Sequence, residues 1–429
     1  MERLMQYIWQ HRLWPQADMR TVDGKPVSVI DPGTLNTNSG PDFFNAKISI
    51  DGHLWAGDVE IHVRASDWHR HGHDNDRAYD SVILHVVDRD DSVVRRPDGE
   101  PIPQMLMPCA PDFHLSYGRL VDRAALDLPC ASFICDIPPI YLTDWMSTLA
   151  YERLYGKTDR IERLLERFKG DWESVCYVTM ARCLGFGVNG DPFERLALSL
   201  PLIIIGKHAD SPLSVEAMLF GQSGLLDGIA PESNDYVDSL RREYEFLSHK
   251  FDLHRPQSLG WKMSRMRPGN FPHRRIATLA AMLSGGFRMM NRMLHISDME
   301  QASEVLSPQL TDYWKSHSNF EAASRPSGQA LGATSVAGLV INAVVPLQMA
   351  YGMTHDDTDL TDRAVALLHS VAAERNSIVE MFARKGIKAR DAFTSQALIQ
   401  LRREYCEARK CLYCRIGHRM LASKARRHD

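Results

Sequence analysis

Hydrophobic and polar positions divide the chain into a strand-rich beginning and a helical remainder. Met5, Ile8 and Trp9, followed by Leu13, recur at helical spacing and predict a helix from residue 2 to about 13. Val27, Val29 and Ile30 make a short apolar run stopped by Asp31-Pro32-Gly33, the pattern of a strand and a turn. Residues 42–50 alternate as a strand and end at Asp51-Gly52, a dipeptide suited to a tight β-hairpin, so 53–63 is the expected partner strand. The polar stretch 66–81 has room for a short helix. Val82-Ile83-Leu84-His85-Val86-Val87 is nearly unbroken in apolar character, as expected of a central strand covered on both faces. Residues 1–90 therefore read as helix, three strands, helix, strand, a small mixed-sheet core. Residues 91–141 are Pro-rich and read as a connection or insertion. From 142 to 429 helical periodicity dominates, with runs at 151–168, 362–382 and 395–406 and an internal boundary around 319–332. The fold class is α+β, a small mixed β-sheet domain followed by a mainly α-helical region.

Composition narrows the class further. The 429 residues are 44% hydrophobic and 24% charged, which suits two or three globular domains and excludes a disordered or collagen-like chain. No run of about 18 uninterrupted apolar residues occurs, and the first residues lack the apolar centre of a secretory signal. A cytoplasmic protein without membrane contact is the expectation. The net charge of -4 hides an asymmetry: residues 1–150 hold 13 Lys/Arg and 22 Asp/Glu, whereas 255–297 hold eight Lys/Arg and no acid, and 408–428 seven and none. An acidic first domain with basic segments behind it suits a metal site plus a polyanion-binding surface; clustering on solvated helix faces produces the same counts.

The densest chemistry lies in Gly57-Asp58-Val59-Glu60-Ile61-His62-Val63. Alternate side chains of a strand share a face, so Asp58, Glu60 and His62 line one side while Val59, Ile61 and Val63 face the core. Asp42, at the start of the hairpin partner, lies beside that face. Two carboxylates from adjacent strands suit Mg²⁺ or Mn²⁺. A solvated sheet face yields the same alternation without any function. Next, His69, His71 and His73 offer imidazoles for Zn²⁺, which would make a zinc hydrolase of a smaller substrate a further reading; a polar loop or a phosphate contact is the plainer one. Lys262, Arg265, Arg267, Arg274 and Arg275 surround a Pro-Gly turn ahead of an apolar helix, a candidate clamp for a nucleic-acid backbone or a strut between domains. Finally, eight cysteines are too few for a disulfide scaffold; Cys109, Cys130, Cys135, Cys176 and Cys183 are scattered. Cys406, Cys411 and Cys414 are clustered, and with His418 they have the composition of a Cys₃His zinc site, partly buried thiols being the alternative.

Pro41-Asp42, then Glu60, then His62 resembles the PD-(D/E)XK nuclease core, with His62 where that pattern usually has lysine. The order of elements in residues 2–87 is similar as well. The resemblance implies a restriction-endonuclease-like fold in which Asp42 and Glu60 bind Mg²⁺ or Mn²⁺, His62 orients or deprotonates water, and Asp58 assists behind them. It also implies an acid from the leading helix, where Glu2 is the only carboxylate. For the cysteines it implies an iron–sulfur alternative, since some nucleases of this type hold a cluster through one upstream and three C-terminal cysteines. A wider likeness, carried by Asn38-Ser39-Gly40-Pro41-Asp42-Phe43, Arg267-Pro268-Gly269-Asn270-Phe271-Pro272 and Cys411-Leu412-Tyr413-Cys414, is to an uncharacterised bacterial family described only as a domain of unknown function. The expected activity is metal-dependent hydrolysis of DNA or RNA. The alternative is a non-catalytic nucleic-acid-binding or assembly protein on a decayed nuclease scaffold, which the lysine-to-histidine departure favours.

Overall fold

The computed structural model of the chain describes residues 1–12, 19–36, 38–107, 128–134, 136–230, 234–264, 266–286, 288–321 and 331–425. Two units result, one from Met1–Leu142 with Arg402–Asp429, the other from Thr143–Leu401.

In the first unit the leading helix α1 is Glu2–Gln10, and the strands are β1 (Val27–Asp31), β2 (Thr34–Leu35), β3 (Phe43–Ile50), β4 (His53–Arg64), β5 (Val82–Arg89) and β6 (Gln104–Leu106). The six-stranded sheet runs β1-β3-β4-β5-β6, with β2 also paired to β3. The β1/β3 and β3/β4 pairs are antiparallel, whereas β5 joins β4 and β6 joins β5 in parallel, so the sheet is mixed. Asp51 and Gly52 both take positive φ, 52° and 77°, the conformation that closes a twisted hairpin. A short helix, α2 (Asp67–Arg70), and single turns at His73–Asn75 and Arg77–Tyr79 form the crossover from β4 to β5.

Leu4, Met5, Ile8 and Trp9 of α1 pack with Phe43, Ile48, Val59, Ile61, Leu84 and Val86 in one core. Leu412, Met420 and Leu421 enter that same core. Residues 402–429 thus belong to the sheet unit, although the sequence places them at the end of the helical region; a return of the chain leaves no local periodicity to read. On the other face Trp68 and Tyr79 pack with Val82, Val94 and Ile102 in a second cluster. From Asp58 to His62, β4 is consequently buried on both sides.

Gly57 packs hard against the start of β5, since a Cβ there would lie 2.5 Å from Ile83 Cγ2 and 2.6 Å from the Ser81 carbonyl oxygen. Gly57→Ala is expected to destabilise the protein by about 1–3 kcal/mol, as overpacking does elsewhere. Urea unfolding measures this, and an unchanged midpoint would mean that the two strands part without cost.

The second unit is helical. Its elements include Trp172–Leu184, Gly190–Ser199, Pro212–Ser223, Asp235–Phe251 and Pro272–Leu283. The run expected at 362–382 is two helices, Thr358–Ser370 and Ser377–Arg384, because the Asn376 side chain accepts from the Val379 N–H and starts a new helix. Among the described residues one helix, Ala333–Thr354, is long and apolar enough to cross a membrane by length and composition, and 67% of its apolar window is buried. A π-turn at Val340–Val344 interrupts it. Pro346 has no N–H to offer one turn back; the Asn342 carbonyl instead accepts from Cys183 Sγ at 3.2 Å, and the Ile341 carbonyl from Lys157 Nζ at 3.0 Å.

Candidate functional site

Asp42 stands just before β3 and Glu60 in the middle of β4, and backbone geometry locks the two together. The Asp42 N–H donates to Glu60 Oε2 at 2.9 Å, and the Ile61 N–H donates to Asp42 Oδ2 at 3.1 Å. Gln6 Nε2 of α1 donates to Asp42 Oδ1 at 2.8 Å. Glu2, one turn earlier on the same helix face, adds its negative charge to both acids. Burial, then the charge of Glu60, pushes Asp42 up to about 7. Burial pushes Glu60 up to about 8, with Glu2 adding to the rise. Such displacement from the ordinary carboxylate range is a mark of functional sites.

Three imidazoles meet this pair. His62 Nε2 lies 3.4 Å from Glu60 Oε1 and 3.1 Å from His71 Nδ1, and His73 Nε2 also lies 3.4 Å from Glu60 Oε1. Ring nitrogens of His62, His71 and His73 all fall within 4.8 Å of one another. Four ligands at about 2.0–2.1 Å around a tetrahedral zinc ion stand about 3.3 Å apart, close to the Glu60–His62, Glu60–His73 and His62–His71 separations. His73 Nε2 is buried with no hydrogen-bond partner, a donor atom aimed into the cluster. Behind the cluster, His62 Nδ1 and His85 Nε2 share a hydrogen bond of 2.9 Å. A proton on His62 Nδ1 leaves the Nε2 lone pair facing the other donors, the arrangement by which outer partners orient a metal-binding histidine.

Burial, reinforced by His85, His71 and His73, lowers His62 to about 2. Burial likewise lowers His85 to about 3 and pulls His73 below its usual value. These three rings are neutral at physiological pH, as metal ligation requires. Tyr79 stacks on His73 with ring centres 3.8 Å apart, and Trp68 lies 5.4 Å from His73 and 5.2 Å from His85. The exposed His71 forms the open side. The residues fit a divalent transition ion. A nitrogen-rich donor set suits Zn²⁺ or Fe²⁺ better than Mg²⁺, whose ligands are oxygens and retained waters.

Not every residue expected at the site reaches it. Asp58 shares the face, but Asn45 N–H occupies its Oδ1 at 3.0 Å and Ser81 Oγ its Oδ2 at 2.6 Å. It therefore pins the β3 bulge, where Asn45 has φ 57°, to the entry of β5. His69 leaves the expected trio: its Nδ1 lies 2.8 Å from Asp74 Oδ2 and its Nε2 3.3 Å from Ser92 Oγ, and His62 takes its place. Arg274 and Arg275 do not form a phosphate clamp, because both are buried in the helical unit. Arg274 Nη1 donates to the Trp314 carbonyl at 2.6 Å; Arg275 Nη2 donates to Asn270 Oδ1 at 2.6 Å, its guanidinium 4.6 Å from the Phe186 ring centre. Lys262 and Arg267 are exposed, and Arg265 lies outside the described residues. Cys406, Cys411 and Cys414 belong to the sheet unit. His418 turns toward α1, where its Nδ1 shares a hydrogen bond with the Tyr7 hydroxyl and its ring centre lies 4.9 Å from that of His11. Periodicity alone passed over His85; the signal for it was a single imidazole within an otherwise apolar central strand.

Fold and site together define an α+β protein whose mixed sheet buries a carboxylate–imidazole cluster on one face. The chain belongs to the family described as "Protein of unknown function (DUF2851)", whose model matches residues 2–377, a span that holds the whole cluster and ends before the C-terminal cysteines. No curated protein and no solved structure matches it.

Proposed function

We propose that this protein is a metal-dependent nuclease that hydrolyses phosphodiester bonds of DNA or RNA on a restriction-endonuclease-like core. One observation carries the reading: the polar face of β4 is buried, with Glu60 at 5% and His62 at 1% exposure, as is His85 of the neighbouring β5 at 0%. A solvated sheet face would leave these groups in water. Burying them costs free energy, which a ligand that engages them offsets. Further support comes from the order α1, β1, β3, β4, α2, β5, with an acid before β3, Glu60 eighteen residues on, and His62 at the next position of that face.

In this mechanism Glu60, His62, His71 and His73 would hold a divalent ion, and Asp42 is the acid hydrogen-bonded to Glu60 through its backbone N–H. A divalent ion bound there would supply Lewis acidity and lower the pKa of water. Asp42, poised near neutrality, accepts the proton of the attacking water and returns it to the leaving oxygen. His85 fixes the tautomer and angle of His62, and Trp68 and Tyr79 close the rear of the site to bulk water. Arg70, exposed on α2, offers a cation to the substrate phosphate while Asp67 Oδ1 holds it at 3.0 Å. Lys262 and Arg267 are the remaining candidates for backbone contacts.

The test is incubation of the purified chain with labelled single- and double-stranded DNA and RNA in Mn²⁺, Zn²⁺ or Mg²⁺. The expected result is cleavage that is faster with Mn²⁺ or Zn²⁺ than with Mg²⁺ and is abolished by EDTA. Nucleic acid bound but never cut with any of these ions would overturn the enzyme and leave the non-catalytic scaffold.

A further inference from the structure

Cys130 lies before the helical unit in sequence, and Cys406, Cys411 and Cys414 lie after it, yet all four fall in the sheet unit. Cys130 and Cys411 pack against the core that Leu412, Met420 and Leu421 complete. Electrostatic coupling links all six pairs among the four sulfurs: Cys130 with Cys411 and Cys414, Cys406 with the other three, and Cys411 with Cys414. The segment bearing three of them is wound by successive turns. Arg409 N–H donates to the Cys406 carbonyl, Cys414 N–H to that of Cys411, and His418 N–H to that of Cys414. Gly417 presses on this loop so closely that a Cβ would lie 2.1 Å from the Cys411 carbonyl oxygen. Four thiols thus converge on a rigid frame, and burial disfavours the thiolate form of Cys130, Cys406 and Cys411. A bound metal would stabilise those thiolates.

We propose that Cys130, Cys406, Cys411 and Cys414 hold an iron–sulfur cluster that fastens the returning C-terminal segment to the sheet unit. Two observations choose this chemistry over a single zinc ion. The spacing Cys406-x₄-Cys411-x₂-Cys414 with one remote cysteine is an iron–sulfur spacing, whereas structural zinc sites usually pair two short Cys-x₂-Cys elements. Among the described residues no three of these sulfurs lie within 4.8 Å of one another. Four thiolates at about 2.3 Å from one zinc ion would stand about 3.8 Å apart, so the nest is wider than one ion needs. His418, engaged with Tyr7, is not a ligand. The cluster joins points separated by the whole helical unit, the case in which a clip restricts the unfolded chain most.

The experiment is anaerobic purification of the full chain with iron, sulfide and zinc analysis and a visible spectrum, for wild type, Cys130→Ser, Cys411→Ser, Cys183→Ser and His418→Ala. Wild type, Cys183→Ser and His418→Ala are expected to carry iron, acid-labile sulfide and a broad visible band. Cys130→Ser and Cys411→Ser are expected to lose all three, and limited proteolysis should then cut first at the junction near Arg402. Wild type with zinc and no iron, or with no metal, overturns the cluster whether or not any variant folds. Cluster retained in Cys130→Ser, or lost in His418→Ala, overturns the assignment of the fourth ligand. These readouts require no cleavage assay, so they fail or succeed independently of the nuclease reading.

Discussion

Glu60→Gln is expected to lower metal-dependent cleavage by about a hundred- to a thousandfold, the scale seen when one preorganised group of an active site is removed. The glutamine keeps the side chain's length and still accepts the Asp42 N–H that Glu60 Oε2 receives at 2.9 Å, so the fold survives while the negative charge is lost. That charge sits 3.4 Å from both His62 Nε2 and His73 Nε2, and its loss removes a carboxylate in direct contact with two of the imidazoles. His69→Ala is the matched control. Its ring is engaged with Asp74 and Ser92, and cleavage should stay within about twofold of wild type, as expected for a surface group outside the site. The measurement is kcat/KM on a short labelled duplex or single strand, with circular dichroism to verify folding. Equal rates for wild type and Glu60→Gln would remove the sheet cluster from the chemistry. An equal loss in His69→Ala would point back to the trio read from the sequence.

The metal-free protein is expected to lose stability as pH rises from about 6.5 to 8. Asp42 and Glu60 hold their protons to about 7 and about 8 in the folded state, against about 3.9 and 4.3 in the unfolded chain. Between those limits the folded form binds more protons, so stability falls with rising pH by up to about 1.4 kcal/mol per pH unit for each group. His62 and His85 act in the opposite sense. Their folded values of about 2 and 3 lie below the unfolded 6.5, so the unfolded chain takes up protons as pH drops and stability falls with it. From about pH 4 to 6.5 the two acids and the two imidazoles offset one another. Above 6.5 only the acids act, and below 4 only the imidazoles. Melting temperatures across pH 4–8.5 should therefore show a plateau with a fall on each side. Added Zn²⁺ or Mn²⁺ should raise the alkaline limb most, with proton release on binding, because the ion replaces protons on the carboxyls. A metal-free curve that stays flat from pH 6.5 to 8 would contradict the buried acid pair.

What the sequence by itself determined is local. The alternation of Val59, Ile61 and Val63 with Asp58, Glu60 and His62, the Asp51-Gly52 turn and the apolar run 82–87 follow from the two-residue strand period and from turn chemistry, and they place Asp42 beside Glu60 through the hairpin register. The helical run at 362–382 was only partly legible, since the Asn376 cap competes locally with helix continuation. Tertiary structure decided the rest. The sequence left open whether the polar face of β4 meets water; the crossover bearing Trp68 and Tyr79 covers it and turns a set of polar positions into a buried site. Spacing grouped His69 with His71 and His73, but the turn at Gly72 brings the last two to His62 and sends His69 to Asp74. Arg274 and Arg275 looked like a clamp and are core groups, because burial depends on what packs over a helix and not on the charge it carries. Cys130 falls in one unit with the three C-terminal cysteines only because the chain returns after the helical unit, a long-range arrangement that no local period encodes.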